Sequence, residues 1–292
     1  MLSAPEAVAA DPRMWVIEPR QHGVFFRLRE LWSYRYLWWY FASNAVTSLY
    51  RRSMLGWLWL VLRVVAPVGA NALVFGDIFD QAQKVEHVPY FLFFLCGMTT
   101  WMTFERSLYF VTLSLERNRR LISRVYFPRL ILPVSAVAPG LLYLAILVLV
   151  LVITVVAFHQ REGIWYVVPD ARLFAAAGAV LASLCFAVAI GLWTSVLQAR
   201  FRDVRYALRY ITPFWFLLTP VVYPMEDIEG RYPWLVALNP MAPVVEAFRW
   251  GTLGGDMFPG GAAATSLGLI VVTLATGLWY FNREEAASVD KL

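Results

Sequence analysis

The sequence predicts an all-α integral membrane protein. The expected architecture is six transmembrane helices, an N-terminal amphipathic interface helix and a re-entrant outer gate before the last span. Three observations predict it. Of 292 residues, 60% are apolar or aromatic and 15% charged, with a mean hydropathy of +0.59; soluble domains run at about 45–50% apolar and about 25% charged. The apolar residues gather into separate runs close to the ~20 residues that a helix needs to cross hydrocarbon. Basic residues fall in short stretches between those runs, so the net charge of +5 reads as a topology signal and not as a nucleic-acid-binding face. One membrane domain is expected to cover residues 1–292.

Residues 1–20 carry Glu6, Asp11, Arg13, Glu18 and Arg20 around no apolar core, so no signal peptide is expected and insertion falls to internal spans. Residues 24–50 read as an amphipathic helix. Phe25, Leu28, Trp32, Tyr36 and Trp39 recur at spacings of three and four, while Arg27, Glu30 and Arg35 charge the other side. Aromatic residues favour the headgroup level, which lays this helix along the cytoplasmic surface; a first span at 31–50 is the alternative. The six-span core then covers 57–281. Its spans fall near Trp57–Phe79, Tyr90–Thr112, Leu132–Phe158, Leu173–Leu197, Ala207–Val222 and Ala262–Phe281. The third is the most aliphatic, and the Ala and Gly of the fourth allow close helix packing.

Orientation follows from counting Lys and Arg. With the N-terminus inside, segments 1–56, 113–131, 198–206 and 282–292 hold seventeen of them. The outer segments hold only Lys84, Arg161, Arg172, Arg231 and Arg249. Both termini are therefore expected in the cytoplasm. Between the last two spans, residues 223–261 contain Pro224, Pro233, Pro240, Pro243 and Pro259 along with apolar pieces too short to cross a bilayer. Irregular backbone at membrane depth persists only when protein or a water-filled cavity covers it. A re-entrant pair of half-helices is the reading, with a plain extracellular loop as the alternative.

The residues offer no catalytic centre. His22, His87 and His159 are isolated, so no metal site is indicated. No nucleophile turn is present, and neither Lys84 nor Lys291 follows a glycine-rich phosphate loop. Any ATP and Mg²⁺ must be held by a separate subunit, and no cofactor is expected on this chain. Cys96 and Cys185 lie in different apolar runs and read as small buried hydrophobes. The excess of 23 Arg over 2 Lys is assigned no mechanistic meaning.

Three sets of residues remain as functional candidates. In Ser114–Pro128, Leu115, Leu121, Ile122 and Val125 alternate with Glu116, Arg117, Arg119, Arg120 and Arg124. A cytoplasmic helix there could dock in a groove of a soluble partner, or the segment is an ordinary positive-inside loop. Thr99, Thr103 and Arg106 share one face of the second span, which suits either a pore lining or interhelical hydrogen bonding. Arg63 and Glu105 sit roughly 10 Å from the cytoplasmic ends of antiparallel neighbouring spans, at 1.5 Å per residue. A structural ion pair is expected, because an unpaired charge at that depth is costly; snorkelling or a phosphate-binding role for Arg63 are the alternatives.

Four blocks then resemble a known family. They are SMLGWLWLVLRVVAP at 53–67, VYFPRLILPVS at 125–135, ARFRDVRYALRYITPFWFLLTPVVYP at 199–224 and LNPMAPVVEAFRWGTLGG at 238–255. In this order they are similar to the permeases of polysaccharide-exporting ABC transporters, the type-2 exporters of O-antigen, teichoic acid, capsule or galactan. The resemblance implies a half-transporter: a homodimer of this chain, two ATP-binding subunits, and a lipid-linked polysaccharide as substrate at the inner membrane. It makes Glu116–Phe127 (Glu116, Arg117, Arg120, Leu121, Ile122, Arg124, Val125, Tyr126 and Phe127) the coupling helix. It places Tyr223, Pro224, Asn239, Pro240, Pro243, Glu246 and Arg249 in an outer gate, and Arg202 and Asp203 match the family's R-D-V block. Arg63 departs from the family, whose first span is apolar or amide-bearing there. Sugar rings pack their C–H faces on aromatic rings, so Trp57 and Trp59, at the mouth of the first span, are candidate sugar contacts; membrane anchoring is the competing role. A permease for amphipathic drugs or lipids, an intramembrane glycosyl-lipid enzyme and a scaffold are the other classes weighed.

Overall fold

A computed structural model describes residues 32–51, 54–78, 88–122, 124, 127–167, 169–255, 258 and 260–289, without the side chains of Asp77 and of 285–289. All regular structure among them is helical. Residues 24–31 of the expected interface helix, together with Val125 and Tyr126 of the expected coupling helix, lie outside the described residues.

Helix α1 (Arg35–Thr47) buries Phe41 and Ala42, while Tyr36 (77% exposed) and Trp39 (67%) line its outer side and Trp32 (74%) precedes it. The described part of the aromatic stripe read from the sequence, Trp32, Tyr36 and Trp39, is thus exposed. Helix α2 (Trp57–Leu73) begins at Gly56, whose φ of +48° is a conformation that favours glycine. Leu60, Val64, Val68 and Ala72 follow at spacings of four and form its one buried line. Pro67 lies inside this helix, and Asn71 Nδ2 donates to the Pro67 carbonyl at 2.9 Å. A π-helical turn, Val74–Ile78, continues it.

Helix α3 (Tyr90–Thr112) is the centre of the molecule, with 18 of its 23 residues buried. After the short helices α4 (Ser114–Arg117), α5 (Arg119–Ile122) and α6 (Ile131–Ser135) come two long helices, α7 (Ala138–Glu162) and α8 (Leu173–Arg200). Gly163, at φ +72°, ends α7 and donates its N–H to the His159 carbonyl at 2.8 Å. Helix α9 (Val204–Leu218) contains Pro213 and buries only Thr212 among its side chains. The chain then forms α10 (Glu226–Glu229), α11 (Pro233–Leu238), α12 (Met241–Leu253) and α13 (Gly260–Val289).

Helices α3 and α8 pack along each other; α7 and α12 flank α3, and α13 lies on α8. The small residues of α8 permit this packing. Gly191 meets the Val111 side chain so closely that a Cβ could not be added. Gly251 of α12 likewise leaves only 2.6 Å between a notional Cβ and the backbone nitrogen of Ala176. Among the described residues, four stretches are long and apolar enough to cross a bilayer: Trp57–Gly76, Ile131–Glu162, Leu173–Arg200 and Gly260–Glu284. Helix α3 has the length, but Glu105, Arg106 and its threonines lower its hydropathy, and the other helices cover it. Helix α9, about 22 Å long at 1.5 Å per residue, is shorter than a typical span.

Candidate functional site

Three polar regions interrupt the apolar packing. The first is the elbow after α3. The sequence suggests one helix over 114–128, but the structure breaks it at Asn118, whose side-chain amide donates to the Ser114 carbonyl at 2.8 Å. Such side-chain bonds to the local backbone compete with helix continuation. Glu116 accepts from Gln198 Nε2 at 2.7 Å and lies 3.6 Å from Arg205 Nη1. Gln198 Oε1 in turn accepts the backbone N–H of Arg205 at 2.8 Å. One carboxylate therefore ties the elbow to the turn between α8 and α9, beside the exposed Arg202 and Asp203. Arg200 and Glu284 add an ion pair from α8 to α13.

Among the described residues, the elbow's apolar side chains pack largely inward. Ile122 (8% exposed) and Phe127 (5%) are buried in a cluster with Phe41, Leu130 and Ile131, and Leu121 packs against it. The Phe41 and Phe127 rings lie 5.7 Å apart. The structure thus places Ile122, which the sequence offered as a partner contact, inside the chain's own packing and leaves Leu121 partly exposed. Alternation fixed which residues share a face, but α1, far away in sequence, covers that face. Arg117, Arg119, Arg120 and Arg124 are exposed.

The second region lies on α3. Thr99 and Thr103 are fully buried, and their hydroxyls donate to the Leu95 and Thr99 carbonyls at 2.7 and 2.6 Å. Within this chain both hydroxyls are enclosed and bonded to their own helix. Arg106 lies over the Tyr143 ring at 5.2 Å and borders a cavity of about 230 Å³ between α3 and α9, together with Glu105, Tyr109 and Arg209. Thr212 donates to Glu105 Oε1 at 3.3 Å. Arg63 and Glu105 form no ion pair: Arg63 lies on the exposed side of α2, while Glu105 turns toward α9. Equal depth brought the two level without bringing their faces together. Trp57 and Trp59 are 55% and 46% exposed, and Trp57 stacks on Tyr50 at 4.9 Å.

The third region holds the segment 219–223, between α9 and α10. Arg249 of α12 is 3% exposed and donates to the carbonyls of Pro220 at 2.6 Å, Val221 at 2.5 Å and Phe93 at 3.3 Å. Its guanidinium sits 3.6 Å over the Phe93 ring, and Glu246 lies 3.3 Å away. Gly97 leaves room for it, because a Cβ there would come within 2.7 Å of Arg249 Nη2. Tyr90 donates to the Val222 carbonyl at 2.8 Å, and Tyr223 to that of Leu217 at 2.7 Å. Asn239, ahead of Pro240, makes a second knot. It accepts from Trp215 Nε1 at 3.0 Å and from the Met241 N–H at 3.1 Å, and donates to Thr219 Oγ1 at 2.9 Å.

Of the expected gate residues, Asn239, Pro240, Pro243 and Arg249 are buried, while Tyr223, Pro224 and Glu246 are partly exposed. The segment is not a plain loop, since α12 is helical with ten of its 13 residues buried. Sequence reasoning missed Gln198, Arg205, Trp215 and Thr219. Only the Asn-Pro step before α12 hinted at a structural knot. Among the described residues, no group of three His, Cys, Asp or Glu side chains converges as a metal site would require.

Long apolar helices around a mostly buried central helix that carries Glu105 and Arg106 define a multi-pass membrane protein, and the family comparison names its class as a transporter. The sequence profile of the ABC-2 type transporter family matches residues 17–253. The chain belongs to that family. It is 27% identical over 265 residues to the O-antigen export system permease protein RfbA of Myxococcus xanthus, covering 89% of this chain and 97% of the relative. Two proteins of the same name from Klebsiella pneumoniae are 25% and 23% identical, each covering 68% of this chain and 73% of the relative.

Proposed function

We propose that this chain is the permease half of an ABC transporter that exports a lipid-linked polysaccharide from the cytoplasm across the inner membrane. The observation that carries the reading is the near end-to-end match to an O-antigen export permease. A separate ATPase subunit, holding ATP and Mg²⁺, supplies the energy, and two copies of the permease enclose the path. The subunit carries no catalytic centre of its own. Six spans are proposed: the four long apolar helices, together with α3 and α9. Both termini lie in the cytoplasm, and the outward aromatic side of α1 rests at the headgroup level. Helices α11 and α12, joined through the Asn239 knot, form the re-entrant outer gate.

The elbow supplies the coupling. Its exposed Arg119, Arg120 and Arg124 meet the ATPase, and the Glu116–Gln198–Arg205 network passes the motion to the start of α9. Helix α9 buries little against its own chain, which leaves it free to move against a second copy. Exposed Trp57 and Trp59 are the candidate sugar contacts.

The test is reconstitution of the permease with its ATPase in vesicles loaded with lipid-linked polysaccharide. ATP should make the polymer accessible to a glycosidase on the opposite side. Gln198→Leu should keep complex assembly but lower ATP-driven polymer transfer. Transfer of a small amphipathic dye with no transfer of polymer would overturn the reading.

A further inference from the structure

A polar cavity of about 370 Å³ lies apart from the gate and from the α3–α9 region, between α1, the end of α3, the elbow and α6. Its volume is within the range of small-ligand sites. Three features point to its occupant. Arg117 lines it and stacks on Phe110, with the guanidinium carbon 4.6 Å from the ring centroid; among the described residues no carboxylate lies within ion-pair distance. The adjacent acid, Glu116, is engaged with Gln198 and Arg205 instead. Ser114, only 2% exposed, also lines the cavity, and its hydroxyl has no hydrogen-bond partner.

No carboxylate lines this cavity, so its balance is one cation, one unbonded hydroxyl and an apolar wall of Phe41, Phe110 and Leu132. A buried hydroxyl left unbonded is costly, and a guanidinium can only donate. Both demands are met by one anionic group with several acceptor oxygens, and a phosphate is the group that a guanidinium fork fits. The apolar wall then asks for a carbon skeleton attached to that phosphate. On α1, which lines the cavity through Phe41, Asn44, Ala45 and Ser48, the Tyr36 and Trp39 rings are exposed, as is Trp32 just ahead of it. Rings so placed favour the depth at which phospholipid phosphates lie.

We propose that this cavity is a binding site for the phosphodiester headgroup of an anionic membrane phospholipid, held by Arg117 and Ser114. Basic pockets between helices on the cytoplasmic side are known to take such headgroups. The lipid wedges α1 against the elbow, which makes coupling sensitive to the anionic lipid of that leaflet. This turns Arg117 from an ATPase contact into a lipid contact. The proposal rests on the topology above only for the leaflet that supplies the lipid.

The test reads lipid retention and not transport, so its failure is distinct from a failure of the transport reading. The permease–ATPase complex is released from nanodiscs of phosphatidylcholine containing phosphatidylglycerol, and retained phosphatidylglycerol is counted by native mass spectrometry. Arg117→Ala should retain it about tenfold less, the change expected from losing one charge-assisted phosphate contact. Asn44→Trp, which obstructs the cavity from α1 without changing charge, should lose it equally; Arg117→Lys should recover part. Arg119→Ala removes an equal charge from the exposed face and should retain the lipid as the unaltered chain does. Equal retention by the unaltered chain, Arg117→Ala and Asn44→Trp would overturn the site. Displacement of the lipid by soluble glycerol 3-phosphate would keep the phosphate chemistry and overturn the lipid as its source.

Discussion

Replacing Arg249 by Met keeps most of the side chain's length and removes its five donors. Two short bonds, to the Pro220 and Val221 carbonyls at 2.6 and 2.5 Å, would be lost, with a longer one to Phe93. Hydrogen bonds from a charged donor are worth about 1.5–3 kcal/mol each, so the two short ones amount to about 3–6 kcal/mol. Relief from burying a cation, and apolar contact between Met and the Phe93 ring, offset part of this. The net destabilisation should be about 2–4 kcal/mol. The ion pair with Glu246 contributes less, because the Glu246 side chain is 25% exposed and water can replace its partner. Glu246→Gln should therefore cost under about 1 kcal/mol, and Arg249→Lys should fall between, since an ammonium cannot span two carbonyls as a planar fork does. The assay is the thermal unfolding midpoint of the detergent-purified protein, with limited proteolysis at 219–223 as the local readout. An Arg249→Met midpoint equal to that of the unaltered chain, with cleavage unchanged, would refute a stabilising role for these carbonyl bonds. A loss matched by Glu246→Gln would assign the effect to the ion pair.

Other expectations follow from particular contacts. Ile122→Asp should lower the yield of the permease even when it is expressed without a partner, because it buries an unpaired carboxylate at a cost of several kcal/mol, roughly; a normal yield combined with loss of ATPase binding would restore the docking role. In a charge swap of Arg63→Glu and Glu105→Arg, the double variant should accumulate no better than the worse single variant, and recovery would show that the two side chains meet. Gly191→Leu should destabilise by about 1–3 kcal/mol or more through its clash with Val111. An unfolding midpoint close to that of the unaltered chain would mean that α3 and α8 pack less tightly than described.

Legibility in the sequence tracked the range of the interaction involved. The long apolar stretches were readable because each satisfies its own backbone and needs only length and hydropathy. The break before α12 was readable from Pro240 and Pro243, which act locally on the chain. The polar regions were not, because their partners are far apart in sequence: Arg249 finds Phe93, and Glu116 finds Gln198. Periodicity states which residues share a face, and nothing in it states what covers that face. Ile122 therefore looked like a surface residue until Phe41 and Phe127 were seen to enclose it.

The same limit explains Arg63. Depth along a span is a one-dimensional quantity and can be counted, but an ion pair also needs the right rotation of both helices. On α2 the buried line runs through Leu60, Val64, Val68 and Ala72. Arg63 immediately precedes Val64, about 100° around a helix of 3.6 residues per turn. Once Val64 faces the bundle, Arg63 is turned to the side and Glu105 lies beyond its reach. The apolar spacing of four that fixes α2 against its neighbours was already in the sequence. Applied to Arg63, it would have argued against the pair before any coordinates were available.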